Sequence, residues 1–516
     1  MVFSSTIFLF AFLPVTLCGY YLLDRNFKNV FLLLMSLLFY AWGEPKFVFI
    51  MIGSILVNHI FALIIDKDLK RAEELKQYTT GKQYGKRAKT FLRLSVLFNL
   101  SLFFLYKYVD FTISNINAIT SLFGAQPIPL RNISLPIGIS FFTFQAMSYV
   151  FDVYRRKGQA QKNPMNTALY IALFPQLIAG PIVRYETVAS EISNRKETLS
   201  DFAQGTKRFI LGLSKKVILS NSLAVLADRA FGYTDFSQLT VLFAWFGGLC
   251  YMMQIYFDFG GYSDMAIGLG LMFGFHFNEN FNYPYIAQTV SDFWRRWHIS
   301  LSSWFRDYMF LPISTSGWLR RMSVTAKMRW GGRTRQLVTA VVPMAIVWFC
   351  TGLWHGASWN YVLWGCWYGL ILIMSLVFDP SIKKLTKKLH IQTEAKCFHA
   401  LQHIRTLVIV LIADVFFRTN TLNAALHYLG SMLGLTGNRF CDVEATFLIK
   451  QSFFLVALSI LFCTPILKTV KLYIPNSLQV KAMLKVGNTV LYLLLFVIAV
   501  SFTVTSTYNP FIYFNF

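Results

Sequence analysis

The sequence predicts an all-α polytopic membrane protein, with about 11–12 transmembrane helices and additional re-entrant or interfacial helices. Three observations carry this expectation. Hydrophobic residues make up 55% of 516 positions and charged residues only 14%, well below the charged share of a soluble domain. The apolar residues come in runs long enough to cross a hydrocarbon core, about 20 residues each. Lys and Arg gather between those runs, as they do in the cytoplasmic loops of membrane proteins.

Taken in order, candidate spans fall at 3–23, 46–65, 91–113, 135–154, 239–259, 337–353, 359–378, 406–417, 449–467 and 487–507. Shorter or polar-interrupted runs lie near 29–42, 165–183, 209–226 and 285–312. The first run has no basic segment ahead of it and no small-residue cleavage site before Asp24 and Arg25, so it reads as a retained span. The polar stretches 66–90 and 184–208 are too short to bury a core of their own. A single membrane domain over 1–516 is therefore expected, with a motif-rich core at about 170–430 and additional C-terminal transmembrane helices over 431–516. No internal repeat is evident, which weighs against the inverted-repeat transporter architectures.

The net charge of +24 lies in loops. Basic blocks occupy 67–93, 155–162, 320–335 and 383–396. Such placement marks membrane topology and some attraction to anionic lipid, with no nucleic-acid partner. Walking the spans outward from these blocks puts the N-terminus and 114–134 outside, and 66–90, 155–163, 318–335 and 383–405 inside. Seven cysteines sit mostly in apolar runs without CxxC pairs, so neither a disulfide framework nor a zinc site is expected.

Polar and ionisable residues inside an apolar setting mark function by default because they are costly there, and they concentrate at 245–370. In YFDFGGYSDMAIGLGLMFGF (256–275), Asp258, Asp264 and several glycines interrupt an apolar stretch. Close helix packing and a helix break beside a cavity are equally open readings. In SDFWRRWHISLSSWFRDYMFLP (291–312), a helical projection puts Trp294, Trp297, Leu301 and Trp304 on one face, and Arg295, His298, Ser302 and Arg306 on an adjacent strip. This reads as one interfacial or re-entrant amphipathic helix. Its aromatic face suits the headgroup level, and its guanidinium groups suit either lipid phosphate or the phosphates of an acyl donor. In GLWHGASWNYVLWGCWYG (352–369), His355 ends one apolar run next to Trp354. A neutral imidazole there suits proton transfer from a hydroxyl. Spacing alone leaves a hydrogen-bonded core histidine equally open.

Five segments resolve these alternatives by resemblance: GPIVRYE (180–186), FDFGGYSDMAIG (257–268), FWRRWHISLSSWFRDYMFLP (293–312), GLWHGASW (352–359) and DVFFRTNTLNAALHYL (414–429). The sequence resembles the membrane-bound O-acyltransferase family, and within it the bacterial branch that acetylates alginate, peptidoglycan and other exported polysaccharides. The resemblance runs from the opening MVFSSTIFLFAFLPV to about residue 430, beyond which no motif matches. Gly260 stands where relatives often carry serine. The resemblance implies tilted helices around a thin central tunnel, in a multi-pass protein of the bacterial cytoplasmic membrane. It implies no resident cofactor: acetyl-CoA, or another acyl thioester, is a donor substrate. The acceptor is an extracytoplasmic polysaccharide hydroxyl, reached directly or through a secreted or membrane-anchored hydrolase-like acetyltransferase partner. The family's two histidines map onto His298 and His355, with His355 the expected catalytic base and His298 assisting. Arg295, Arg296, Arg306, Trp294, Trp297, Trp354 and Asp264 are the expected substrate-binding residues.

Two other classes compete. D-alanyl transfer from a carrier protein to a cell-envelope polymer belongs to a branch of usually shorter chains. A non-enzymatic polysaccharide or lipid transporter needs a wide polar pathway with many intramembrane charges, and few are present. Metal ligation by the histidines lacks a carboxylate or cysteine at ligand spacing.

Overall fold

Apolar runs become helices here because lipid offers no partner for backbone N–H and C=O groups, and short polar residues set where several of them start. Thr240 caps the helix Val241–Met272 by accepting from Phe243 N, Thr198 caps Leu199–Ser214, and Asp442 caps Val443–Phe462. The computed structural model describes residues 1–76, 79–466, 469, 478–505 and 512, and contains no strand among them. Residue 467 of one expected span and 506–507 of another lie outside the described residues, as do 77–78 of the first basic loop.

Among the described residues, eight helices are long and apolar enough to cross a membrane by length and composition: 48–74, 80–123, 199–231, 332–355, 359–388, 396–418, 443–462 and 483–505. Fewer pass than the 11–12 expected because several apolar helices are short: Phe8–Leu22 has its first turn in π geometry, Arg25–Ala41 has 17 residues and Ile139–Tyr154 has 16. The 165–183 run is broken at Leu173 into two short helices, Pro164–Ala172 and Phe174–Leu177. The outermost helices show lipid what a soluble protein would hide: Leu493, Leu494 and Val497 are all more than half exposed.

At the centre stands Val241–Met272, buried along most of its length. Its glycines do not break it. They let Leu199–Ser214 approach so closely that a Cβ added at Gly205 would lie 2.5 Å from the Gly268 carbonyl oxygen, and one at Gly212 would lie 2.5 Å from that of Gly261. This is the small-residue packing by which membrane helices associate. The same helix buries an ion pair, with Lys216 Nζ 2.6 Å from Asp258 and both side chains 1% exposed.

Contacts between loops divide them into two sets. One joins Arg156 to Asp66 and Glu73, Lys157 to Glu186, Arg184 to Asp307, Lys28 to Glu197, and His399 to Gln288. The other joins Asn115 to Trp359, Tyr108 to Leu353, Arg418 to Asp228, and Arg229 to Glu444. This partition coincides with the side assignment made from the basic loops: 66–90 and 155–163 fall in the first set, and His355 lies at the end held by the second.

Candidate active site

The segment that reads as one amphipathic helix is broken in the structure. Val290–Arg296 ends, Trp297 is extended, and His298 adopts left-handed backbone (φ +43°) before Ile299–Phe305 begins. A π-helical turn, Arg306–Phe310, follows. Left-handed backbone costs a non-glycine residue about 1–2 kcal/mol, and here Asn280 holds it in place. The Asn280 side-chain oxygen accepts from His298 Nδ1 (3.1 Å), Ser300 N (3.2 Å) and Ser300 Oγ (2.9 Å), while its carbonyl accepts from Ile299 N (3.0 Å). With Nδ1 donating, Nε2 carries the lone pair. That atom is buried and has no hydrogen-bond partner among the described residues.

The break also relocates the tryptophans. Trp294, Trp297, Leu301 and Trp304 are all buried, packed among aromatic rings inside the protein and not turned outward to lipid headgroups as expected. The kink turns their face into the protein, where Trp304 stacks on Phe144 at 3.9 Å. The arginines stay at the rim. Arg295 reaches Ser291, Arg296 pairs with Asp292, and Arg306, 63% exposed in its side chain, pairs with Asp307. Desolvation opposes ionisation of Asp307, but its hydrogen bonds with Arg306 and the charge of Arg184 outweigh this and hold the carboxyl below its ordinary range.

His355 ends the helix Gly332–His355 and is 2% exposed. That helix pairs tightly with Trp359–Lys388, because a Cβ at Gly352 would sit 2.5 Å from the Tyr361 carbonyl oxygen. Its last carbonyls are capped from a third helix: Lys107 Nζ donates to Trp354 O at 2.5 Å and Tyr108 Oη to Leu353 O at 2.8 Å. A cation suits a helix C-terminus electrostatically. Lys107 is itself buried, next to Ser140.

With 318–335 assigned inside, the span from 337 is expected to end with His355 toward the outer side, while His298, just before that loop, is expected toward the inner side. The structure brings both to one tryptophan. The Trp354 ring centroid lies 6.1 Å from that of His298 and 4.7 Å from that of His355. His298 packs edge-on against Phe259 (4.6 Å), and His355 against Trp364 (4.7 Å) and Phe417 (5.2 Å). A narrow slot of about 10 Å³ opens beside His355, lined by Trp294, Trp297, Trp364, Tyr285 and Asp414 among others. That is room for about one water. Asp264 is not part of this wall; it is tied to Arg208 (2.8 Å) and Lys215 (2.7 Å), with Arg208 also reaching Glu279. No cluster of His, Cys, Asp or Glu suited to a metal ion occurs among the described residues.

Sequence reasoning missed Asn280, Lys107 and Asp414. The last two are ionisable groups within apolar runs and carried the general signal for function. Asn280 sits in a polar loop and carried none.

The sequence profile of the membrane-bound O-acyltransferase family matches residues 48–326. The chain is 34% identical to the probable alginate O-acetylase of Pseudomonas putida over the full length of both, C-terminal spans included. It is 31% identical to the peptidoglycan O-acetyltransferase of Helicobacter pylori over all of this chain and 98% of that one. A more distant likeness, 28% over half of this chain and 62% of the other, is to the teichoic acid D-alanyltransferase of Bacillus subtilis. With long apolar helices, two buried histidines converging on Trp354, and likeness along its whole length to O-acetyltransferases, this chain is a multi-pass acyltransferase that belongs to the membrane-bound O-acyltransferase family.

Proposed function

We propose that this acyltransferase takes an acetyl group from cytosolic acetyl-CoA and passes it, at the His298–His355 centre, to a hydroxyl of an exported or cell-wall polysaccharide in the bacterial cytoplasmic membrane. Transfer is direct or goes through an extracytoplasmic hydrolase-like partner. The observation that carries the reading is the convergence of the two buried imidazoles on Trp354 beside an aromatic slot. The names of the two full-length relatives support the acceptor class.

His355 takes the proton as the acceptor oxygen attacks the thioester carbonyl, a C–O bond forms, and the C–S bond breaks. The thiolate leaves with that proton, returned by the imidazolium. General-base assistance of this kind is worth roughly 100- to 10,000-fold. The buried aromatic walls keep out water that would otherwise hydrolyse the donor. His298, with Nε2 carrying the lone pair, orients the donor or its carbonyl. Trp294, Trp297 and Trp354 wall the reacting centre. Arg295, Arg296 and Arg306, on the basic-loop side, meet the donor's phosphates. Asp264 supports that face through its ion pairs with Arg208 and Lys215.

Purified protein should release free thiol from acetyl-CoA in the presence of an acceptor polysaccharide or partner. His355→Ala should insert and fold yet lose transfer, and His298→Ala should lose most of it. Replacement of His59, His276 or His427 should be tolerated far better, since these contact Thr167, Glu191 and Phe236 away from the centre. Folded His355→Ala protein acetylating at the parent rate removes the catalytic assignment. Transfer from a D-alanyl carrier protein, with none from acetyl-CoA, moves the chain to the D-alanyl reading.

A further inference from the structure

Asp414 lies in the span Lys396–Arg418, is 8% exposed and lines the slot that holds His355. Its Oδ2 is buried without a hydrogen-bond partner among the described residues. So are the indole Nε1 atoms of Trp294 and Trp364, whose side chains form the same wall. One orphaned polar atom in a membrane core is expensive, and three on residues that wall one aromatic slot fit a polar ligand group.

The wall that Trp294 and Tyr368 form continues toward the basic-loop side. Trp294 packs on Trp348 (4.7 Å) and Tyr368 (4.9 Å), and Trp348 precedes His355 by seven residues, about 10 Å along a helix toward the basic loops. Asp414 is one turn before Arg418, whose guanidinium is held at the opposite end by Asp228. The free atoms are therefore one acceptor and two N–H donors, set below His355 in otherwise apolar walls. A carboxyl accepts an N–H in either protonation state, and an indole N–H only donates. That set complements a secondary amide, whose N–H needs an acceptor and whose C=O needs a donor.

We propose that Asp414, with the indole N–H groups of Trp294 and Trp364, grips a secondary amide of the pantetheine arm of the acyl thioester, holding the sulfur beside His355. The inference rests on the thioester donor proposed above. The amide nearest the sulfur is only two carbons away, so gripping it fixes the reacting carbonyl. Because the slot has room for about one water, the arm enters as side chains of the wall shift apart, which exchanges ring contacts for amide hydrogen bonds. Coenzyme A and a phosphopantetheinyl carrier protein share this arm, so Asp414 selects for the arm and leaves the choice of carrier to the rim.

The test compares Asp414→Leu and Asp414→Asn with the parent, using acetyl-CoA, acetylated carrier protein, S-acetyl-pantetheine and an amide-free alkyl thioacetate as donors. Asp414→Leu should lower kcat/KM for every amide-bearing donor about 10- to 100-fold, with the alkyl thioacetate unaffected. Asp414→Asn, which keeps a carbonyl acceptor, should recover most of the loss. Trp364→Phe should show a smaller loss confined to the same donors. Equal loss on all donors, or no loss on any, overturns the proposal. The acetyl-CoA and carrier-protein arms identify which source the enzyme uses. If the parent protein uses no thioester at all, the acyl-transfer reading fails by itself. Binding of desulfo-CoA then judges the grip alone: binding that is absent, or unchanged by Asp414→Leu, overturns it, and a matching 10- to 100-fold loss supports it.

Discussion

Asn280→Leu isolates the geometry that supports His298. The substitution preserves bulk but removes the oxygen that accepts from His298 Nδ1, Ser300 N and Ser300 Oγ. Three hydrogen bonds at about 1 kcal/mol each give a cost of about 3 kcal/mol, and the left-handed backbone at His298 that they hold, strained by about 1–2 kcal/mol, is then free to relax and carry the imidazole with it. Part of this appears as lost stability and part as a misplaced imidazole, so thermal unfolding of the detergent-purified protein should drop by several degrees, and thiol release from acetyl-CoA should fall at least tenfold. Asn280→Asp provides the control. The Asn280 Nδ2 has no partner among the described residues, so a carboxylate keeps all three acceptor contacts and should preserve the fold. It should still slow transfer, because a carboxylate touching the imidazole stabilises the imidazolium and takes the lone pair out of use. An Asn280→Leu protein with parental unfolding temperature and parental rate would refute the argument that this side chain holds His298.

Three further outcomes follow from the packing. Gly212→Leu should prevent Leu199–Ser214 from seating on the central helix and sharply lower the yield of folded protein, whereas Gly53→Ala, with open space at its Cβ, should be neutral; folded-protein yield in membranes separates the two. Lys107→Met strips the donor from the Trp354 carbonyl and should cost about 1–3 kcal/mol, seen as earlier thermal unfolding together with slower transfer. For topology, a cysteine is best placed at Lys82, which is exposed, because Gly81 is packed against the Leu75 carbonyl. In a background lacking the native cysteines it should stay unlabelled by an impermeant reagent outside intact cells, and labelling there would reverse the assigned orientation.

Run length and the placement of Lys and Arg determined the membrane class and which loops share a face, because lipid forces backbone bonds to close within each helix and leaves charge only at the ends. The motif around His355 was legible only through its resemblance to the family, since spacing alone left a hydrogen-bonded core histidine equally open. Periodicity misled at 291–312: a helical projection assumes unbroken α geometry, and at His298 long-range hydrogen bonds from Asn280, eighteen residues earlier, outweigh it. Even odds at the glycines of 256–275 were settled only by the partner helix, since close approach is a property of two surfaces. The meeting of His298 and His355 at Trp354, and of Asp414 with two indoles in one slot, joins residues fifty or more positions apart. Sequence specifies such chemistry residue by residue, but only tertiary packing, by deciding which helix faces lose contact with lipid, brings those residues to one point.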